Sequence, residues 1–228
     1  MRTDPFVEEK RIEEAGDDHY SSSLETPLRA DAFVLRDEQK IKLIAEHFGK
    51  IMYTLGLDLE DDSLKGTPYR VAKMFVKEIF SGLDPVNKPK ISVFENKYGY
   101  NEMLVEKNIT LFSNCEHHFV PIIGKAHVAY FPKDKVIGLS KINRIVEYYS
   151  KRPQVQERLT LQIANELKQA LGTEDVAVII DAVHLCVSAR GVKDTNSSTV
   201  TTHFSGKFSD EKVQGNFLKL TEQLTKYE

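Results

Sequence analysis

Two stretches near the start of the chain carry apolar residues at three- and four-residue steps, a spacing that is typical of amphipathic helices. The first stretch ends at Gly56, and a glycine at that place can terminate a helix. The second begins with Thr67, which we predict as the N-cap, and Pro68, which suits the first helical position. It ends near Gly82. The pattern therefore predicts an N-terminal helical hairpin over residues 34–90.

Shorter β-branched and aromatic runs farther along the chain are bounded by Gly, Pro and Asp, which is typical of strands. We predict strands over residues 109–113, 125–131, 136–139, 176–180, 183–190 and 198–204. Between the strand pairs, one helix is predicted with Ser140 as its cap, and a second is predicted to begin at Pro153 and to stop at Gly172. This order predicts an α+β domain with a largely antiparallel sheet over residues 91–228.

Residues 1–33 differ from the rest of the chain. They are rich in Glu, Asp and Ser, carry few large apolar side chains and show no sustained period. Such a segment buries too little apolar surface to offset the entropy of ordering. We therefore expect a disordered acidic leader, and we assign it no catalytic role.

Composition and charge narrow the class of protein. Hydrophobic residues make up 41% and charged residues 29% of the 228 residues, as in ordinary globular proteins. The net charge of −3 gives no general attraction to nucleic acid. No apolar run approaches the roughly 20 residues needed to span a bilayer, and the N-terminus lacks the apolar stretch of a secretory signal. We expect a cytoplasmic protein with neither a nucleic-acid nor a membrane partner.

The predicted strand over residues 183–190 carries an unusual set of polar side chains. Because alternate side chains share a face in a strand, His184, Cys186, Ser188 and Arg190 would lie on one side. A solvated face seldom carries a cysteine beside a histidine, so this pattern indicates a functional site. The alternative is a buried cysteine with incidental neighbours.

The other cysteine of the chain lies in the sequence CEHH, where Cys115 and His118 are three residues apart and can reach one metal ion from a tight turn. With Cys186 they form a set of two thiolates and one imidazole, which suits zinc. Three protein ligands and one free position are typical of catalytic zinc. A fourth ligand, His184 or His117, would instead make the site structural.

Several cationic and polar residues could bind a polyphosphate. A helix N-terminus offers free N–H groups and the positive end of the helix dipole to an anion. The candidate phosphate contacts are Ser140, Lys141, Arg144 and Arg190, with Arg70 and Lys73 as further candidates from the N-terminal helices. Glu157, near the start of the next helix, either interacts with that helix dipole or accepts hydrogen bonds from a guanine, with Gln156 assisting.

Three stretches of the sequence resemble GTP cyclohydrolase I, the zinc enzyme family that opens pteridine biosynthesis. They are CEHHFVPIIGKAHVAYFPKDKVIGLSKINRIVEYYSKRPQVQERLT, AVHLCVSARGVKDTNSSTVTTHFSGKF and GTPYRVAKMF. The resemblance covers about residues 35–208 and leaves the acidic leader out.

The resemblance implies a fold, an assembly and a reaction. The fold is the tunnelling fold (T-fold), with an antiparallel four-stranded sheet and two packed helices. The assembly is a homodecamer of two pentamers, with active sites between subunits. In the reaction, water adds at C8 of the guanine of GTP, the imidazole ring opens and formate is released. The ribose then rearranges, and the product is 7,8-dihydroneopterin triphosphate.

The resemblance also implies a role for each site residue. The zinc ligands are Cys115, His118 and Cys186. The proton carriers are His117, His184 and Ser140, with His117 acting at N7 of the guanine and the other two in the ribose rearrangement. The guanine contacts are Gln156 and Glu157. The triphosphate and ribose contacts are Ser140, Lys141, Arg144, Arg190 and Arg70.

Three other functions stay open from the sequence. Relatives on the same fold act on pterins or deazapurines, and some of them use a lone cysteine nucleophile without metal. A non-catalytic module could hold zinc with four protein ligands and bind GTP without turnover. A redox pair of Cys115 and Cys186 is the third alternative. The later pathway, folate or another pterin, and any regulatory partner or allosteric control are also left open.

Overall fold

The computed structural model describes residues 23–222, and its largest element is a five-stranded sheet. The strands in chain order are β1 (Val93–Glu95), β2 (Leu104–Cys115), β3 (Pro121–Tyr130), β4 (Lys135–Ile137), β5 (Pro153–Gln154), β6 (Val176–His184) and β7 (Thr199–Phe204). The main sheet has the order β5–β2–β3–β6–β7, and β1 pairs with β4 separately. Four of its strands are antiparallel, as predicted, and the short β5 adds a parallel edge to β2.

Most of the helices occur along the chain in the order predicted from the sequence. In chain order they are α1 (Asp37–Thr54), α2 (Thr67–Met74), α3 (Leu139–Ser150), α4 (Gln156–Leu171), α5 (Leu185–Ser188) and α6 (Glu211–Glu222). A π-helical turn, Phe75–Ile79, continues α2. None of the helices in the part of the chain described here is long and apolar enough to cross a membrane.

Three predicted helix starts differ from the structure by one to three residues. The N-cap of α2 is Gly66, and Thr67 is already helical. The N-cap of α3 is Gly138, so Ser140 lies in the first turn and does not cap the helix. Pro153 does not open α4, because it pairs with Asn114 in β5.

The predicted strand over residues 183–190 is wrong. Strand β6 ends at His184, whose partner in β3 is Ile122. Since β3 begins only one residue earlier, the chain after His184 has no ladder partner there and forms the helical turn α5. The Ala189 N–H donates to the carbonyl of Leu185 at 2.9 Å in this turn. The predicted face of alternating side chains therefore does not exist, and Val187 is exposed rather than turned inward.

Helices α3 and α4 cover one face of the sheet and build the main core. Their apolar stripes are almost completely buried against the strands, as expected for amphipathic helices on a sheet. The fully buried residues of these two helices include Ile142, Ile145, Val146, Leu159, Ile163 and Leu167.

Helix α6, which was not predicted from the sequence, covers part of the opposite face. Phe217 of α6 and Phe208 of the preceding turn are fully buried and pack at a ring-centroid distance of 5.9 Å. They contact Ala129, Ala177 and Ile179 of the sheet. Small sheet residues leave room for the two aromatic rings, so the C-terminal segment forms a second, smaller core.

Phe217→Ala is expected to lower the free energy of unfolding by about 3–5 kcal/mol, since it removes a fully buried ring and leaves a cavity. Leu218→Ala on the same helix is the matched control, because Leu218 is 42% exposed and should cost far less. Chemical denaturation of both variants measures the difference. Equal losses would show that α6 does not hold its ring in the small core.

The N-terminal helical region is joined to α3 by a close backbone contact. The Gly82 N–H donates to the carbonyl of Lys151 at 2.9 Å, and Arg152 Nε donates to the carbonyl of Gly82 at 2.8 Å. A Cβ at position 82 would lie 2.1 Å from the Tyr148 carbonyl oxygen, so only glycine fits there. The division into leader, hairpin and catalytic domain stays a prediction, but the hairpin region and the C-terminal end of α3 are in direct contact.

Part of the predicted leader also contacts the domain. Residues 1–22 lie outside the described part of the chain. Residues 23–33 form turns and extended backbone, and two buried side chains of α4 donate hydrogen bonds to the carbonyls of Ser23 and Leu24. This stretch therefore has defined partners, although it contains neither a helix nor a strand.

Candidate metal centre and active site

The candidate site lies at one edge of the main sheet, where β2 and β6 end and β3 begins. Strand β3 lies between β2 and β6 and is antiparallel to both, so the carboxyl ends of β2 and β6 meet at the same edge. Cys115 is the last residue of β2, and Cys186 lies in the α5 turn directly after β6. The topology thus brings together two cysteines that are far apart in the sequence.

Two cysteines and one histidine form a cluster with metal-binding geometry. The candidate ligand atoms of Cys115, His118 and Cys186 all lie within 4.8 Å of one another. The Cys115 Sγ to His118 Nδ1 distance is 3.8 Å. A tetrahedral zinc site, with Zn–S near 2.3 Å and Zn–N near 2.0–2.1 Å, places its donors roughly 3.5–3.8 Å apart. The cluster is therefore compatible with a metal ion, as the sequence predicted.

The electrostatics of the thiols also fit a cation. Burial raises the pKa of the Cys186 thiol, and the neighbouring Cys115 sulfur raises it further. Two adjacent thiolates without a cation repel each other, whereas a divalent ion between them favours the deprotonated forms. The thiols are free and Cys115 is buried, which leaves both available as ligands.

His117 lies in the turn that links β2 to β3, beside the cluster. This turn is held by hydrogen bonds from Phe119 N–H to the Cys115 carbonyl and from Cys115 N–H to the Val120 carbonyl, at 2.8 and 2.9 Å. His117 Nδ1 is 3.8 Å from Cys115 Sγ, and His117 Nε2 is 3.8 Å from Glu116 Oε1. The imidazole therefore lies between the thiol and a carboxylate, with one side open to solvent.

His184 is oriented by Gln156, at the start of α4. Their Nε2 and Oε1 atoms are 2.7 Å apart. The Gln156 amide nitrogen donates to the Ile180 and Thr199 carbonyls and to Thr201 Oγ1, so its oxygen faces the histidine. His184 Nε2 must then carry a proton in this contact, which leaves Nδ1 as the acceptor of the neutral ring.

Burial lowers the pKa of His184, and the Glu157 carboxylate acts in the opposite direction. Glu157 is exposed, so it can meet a ligand that approaches this edge of the sheet. Gln156 is buried, and both ends of its amide are engaged within the chain. The structure therefore favours an orienting role for the Gln156 side chain over a direct guanine contact, whereas Glu157 stays available for one.

Arg190 follows the α5 turn and contacts the cluster directly. Its guanidinium nitrogen is 2.8 Å from His118 Nε2. Because a guanidinium only donates, His118 accepts through Nε2 in this arrangement. The structure therefore brings Arg190 beside the candidate metal donors, as the sequence predicted, although by a turn and not by a continuous strand.

The other predicted phosphate contacts lie elsewhere in this chain. Asn143 of α3 donates to Glu106 Oε1 at 3.1 Å, so the start of α3 lies at the opposite end of β2 from Cys115. The β3 partners of Glu106 and Asn114 are seven residues apart, which at 3.4 Å per residue is about 24 Å. Exposed Ser140 and half-buried Lys141 begin this helix. A single chain does not bring them to the metal donors.

Arg144 and Arg70 are also separate from the cluster. Arg144 lines a cleft with Asp37, Lys77 and Lys151, and none of the three candidate metal donors lines it. Arg70 donates to the Ser63 carbonyl and to Thr67 Oγ1 within its own helical region. In one chain, therefore, four of the predicted substrate contacts do not converge on the site.

Two residues of this edge, Glu116 and Arg158, were not predicted from the sequence as part of the site. Arg158 of α4 is 4% exposed and its guanidinium donates to both carboxylate oxygens of Glu116. Their signal in the sequence was weak, because a glutamate between a cysteine and a histidine and an arginine in a first helical turn have ordinary surface roles. Only its burial distinguishes this ion pair from an ordinary surface pair.

The fold and the cluster together define a candidate metalloenzyme with an α+β architecture, in which two thiols and an imidazole lie beside two further histidines and an arginine. Comparison with known sequences narrows this class. A family model of GTP cyclohydrolase I matches residues 44–222, and the chain belongs to that family.

Several relatives in this family are similar over almost the whole chain. The chain is 64% identical to GTP cyclohydrolase 1 of Flavobacterium johnsoniae over 207 residues, which is 91% of this chain and 93% of that protein. It is 58% identical to GTP cyclohydrolase 1 of Erwinia tasmaniensis and 57% identical to that of Escherichia coli O1:K1. Both of these matches cover 197 residues, or 86% of this chain and 89% of the relative.

Proposed function

We propose that this protein is a zinc-dependent GTP cyclohydrolase that converts GTP and water to 7,8-dihydroneopterin triphosphate and formate, the first step of pterin and folate biosynthesis. The observation that carries the proposal is the convergence of Cys115, His118 and Cys186 at one sheet edge in a chain of this family. Two thiols that must stay reduced also suit a cytoplasmic location.

Zinc is the metal that this donor set suits best. Thiolate and imidazole ligands in tetrahedral geometry favour zinc, and three protein donors leave one position for water. When bound, zinc lowers the pKa of a coordinated water towards about 7 and so supplies hydroxide at neutral pH. His117, which is also close to Cys115, is assigned to proton transfer at the guanine and not to the metal.

The two histidines at the edge have separate tasks in this proposal. His117 is exposed and adjacent to the cluster, so it can donate a proton to a guanine nitrogen held there. Burial lowers the pKa of His184, which favours the neutral ring, and Gln156 orients that ring so that its Nδ1 can accept a proton. Different environments thus favour donation by one imidazole and acceptance by the other.

Metal binding and the Arg190 contact compete for the same imidazole. A neutral ring has one lone pair, so a His118 that binds the metal through Nδ1 must carry its proton on Nε2. Nε2 can then no longer accept from Arg190. Loading the metal would release the guanidinium, which can turn to a substrate phosphate or ribose oxygen beside Glu157, the proposed guanine contact.

We further propose that the active site is shared between chains of a T-fold homo-oligomer, a decamer of two pentamers. Ser140, Lys141, Arg144 and Arg70 do not reach the metal donors of their own chain, so a second copy must supply these proposed triphosphate contacts. Ser140 would also be the second copy's proton carrier in the ribose rearrangement.

Within residues 23–222, β7 pairs only with β6 and the outer edge of β2 is covered only at its end. The outer sides of β7 and β2 can therefore form backbone hydrogen bonds with strands of neighbouring copies.

The activity predicts a simple product test. Purified protein loaded with zinc and given GTP should release one formate per GTP and yield a pterin that fluoresces after oxidation. GTP should be consumed without release of phosphate, because the reaction opens the base and leaves the triphosphate intact. Protein with bound zinc that yields neither formate nor pterin would overturn the proposed function.

A further inference from the structure

Residues 23–28 are attached to α4 through their backbone. Arg158 Nε donates to the Ser23 carbonyl at 2.8 Å, and Gln162 Nε2 donates to the Leu24 carbonyl at 3.0 Å. Both donors are buried, with 4% and 3% of their surface exposed. A buried donor that loses its acceptor costs about 1–3 kcal/mol, and more if it is charged. The segment therefore completes the hydrogen bonding of two side chains inside the domain.

The same arginine holds the turn that carries His117. The two terminal nitrogens of Arg158 donate to the two carboxylate oxygens of Glu116, and the Arg158 side chain is only 3% exposed. The Glu116 N–H donates to the Gln154 carbonyl at 3.0 Å, and Glu116 Oε1 lies 3.8 Å from His117 Nε2. A chain of contacts thus runs from the N-terminal segment through Arg158 and Glu116 to the imidazole.

The segment also faces His117 across a small cleft. This cleft has a volume of about 440 Å³, and Thr26, Pro27 and Leu28 are among the residues that line it. Glu116 and His117 line the same cleft. The Thr26 hydroxyl is buried and has no hydrogen-bond partner within residues 23–222, so this position of the segment is shielded from solvent.

We propose that residues 23–28 are a positioning segment for the reaction, acting through Arg158 and Glu116 on the orientation of His117. This inference rests on the proposed function, because His117 is a proton carrier only in that reaction. Glu116, Arg158 and the segment are positioning groups, since they act through the imidazole. The N-terminal stretch thus contributes to turnover, although its composition is that of a solvated leader.

The decisive variant loosens the segment in the full chain without adding a charge. Pro27→Gly combined with Leu28→Asn removes the fixed backbone angle of the proline and the apolar side chain at the cleft. We expect kcat for formate release to fall about tenfold, which is the lower range for residues that orient a metal-site group. KM for GTP and zinc content per chain should change less than about twofold, because neither the substrate contacts nor the ligands are altered.

Val34→Ala, just outside the segment, is the matched control. Val34 is 76% exposed and does not line the cleft, so kcat and zinc content should stay as in the parent protein. The double variant is then combined with Glu116→Gln. Because the segment acts through this carboxylate, loosening it in that background should lower kcat by less than about twofold. The positioning role would be overturned if Pro27→Gly/Leu28→Asn lowered kcat by the same factor in the parent and in the Glu116→Gln protein. It would also be overturned if the double variant left the parental kcat unchanged.

Hydrogen exchange provides a readout that does not depend on activity. The backbone amides of residues 116–119 should exchange faster in the Pro27→Gly/Leu28→Asn protein than in the parent or in Val34→Ala. If the parent protein released no formate from GTP, the proposed function would fail, and unchanged exchange in the variant would separately refute the contact between segment and turn.

Discussion

Cys186→Ser is expected to abolish zinc binding and formate release together while the fold persists. A serine oxygen is a poor substitute for a thiolate at zinc, and the remaining Cys115 and His118 form an incomplete set. Loss of a group that supplies several kcal/mol of transition-state stabilisation corresponds to a fall in kcat/KM of more than about 10³-fold. Metal analysis of the purified protein alongside the formate assay measures both effects.

The fold should survive this change because Cys186 is only half-buried and the α5 turn is closed by a backbone hydrogen bond. Val187→Ala, at an exposed position of the same turn, is the control and should keep zinc and activity. Circular dichroism and the size of the assembly report on folding in both variants. A Cys186→Ser protein that kept full activity would show that the assigned ligand set is wrong.

Two inactive variants should restore activity when they are expressed together. Lys141→Ala removes a proposed phosphate contact at the start of α3, and Cys186→Ser removes a metal ligand at the other end of the sheet. If each site takes these two groups from different chains, some sites in a mixed assembly receive both intact groups. For random mixing at equal amounts, about one quarter of the sites are whole, so roughly a quarter of the parental activity is expected.

Mixing the two variants after separate assembly is the control, because chains that do not exchange cannot form mixed sites. The formate release of each variant expressed alone sets the background activity. If activity stayed at that background in a coexpressed sample shown by mass spectrometry to contain both chains, the site would lie within one chain, and α3 would have to move relative to β2.

Much of the fold could be predicted because local signals and tertiary packing agree. The apolar stripes of α3 and α4 follow the helical period and are the surfaces that the structure buries, whereas α1 buries only Ile41 and Met52 and leaves Ile51 exposed. Strands β3 and β7 fall within about four residues of their predicted ends. The start of α4 was misplaced because Pro153 was interpreted as a helix-opening proline, whereas its pairing with Asn114 depends on the position of β2 in space.

The strand predicted over residues 183–190 shows the limit of periodicity. A run of alternating apolar and polar residues fits a strand by itself, but a strand also needs a partner for its backbone. The ladder ends at His184 because β3 begins with Pro121 and Ile122. No pattern within residues 183–190 records where another segment of the chain begins.

The candidate site was predictable as a set of residue types but not as an arrangement. The spacing of Cys115 and His118 and the chemistry of two thiols and an imidazole were enough to propose a metal. The orienting contacts of Gln156 and Arg158 were not visible, because both depend on burial that follows from packing α4 against the sheet. The resemblance supplied the roles of α3 residues, but not their distance from the metal donors within one chain.

The contact at Gly82 has a consequence for how the molecule unfolds. Two backbone segments meet there without an intervening side chain, and Arg152 depends on the Gly82 carbonyl for one of its hydrogen bonds. A shortened chain that began at residue 91 would leave that buried guanidinium without this acceptor and expose the surface beneath the first helices. The helical hairpin and the sheet are thus expected to lose their structure in one cooperative event, even though the sequence separates them cleanly.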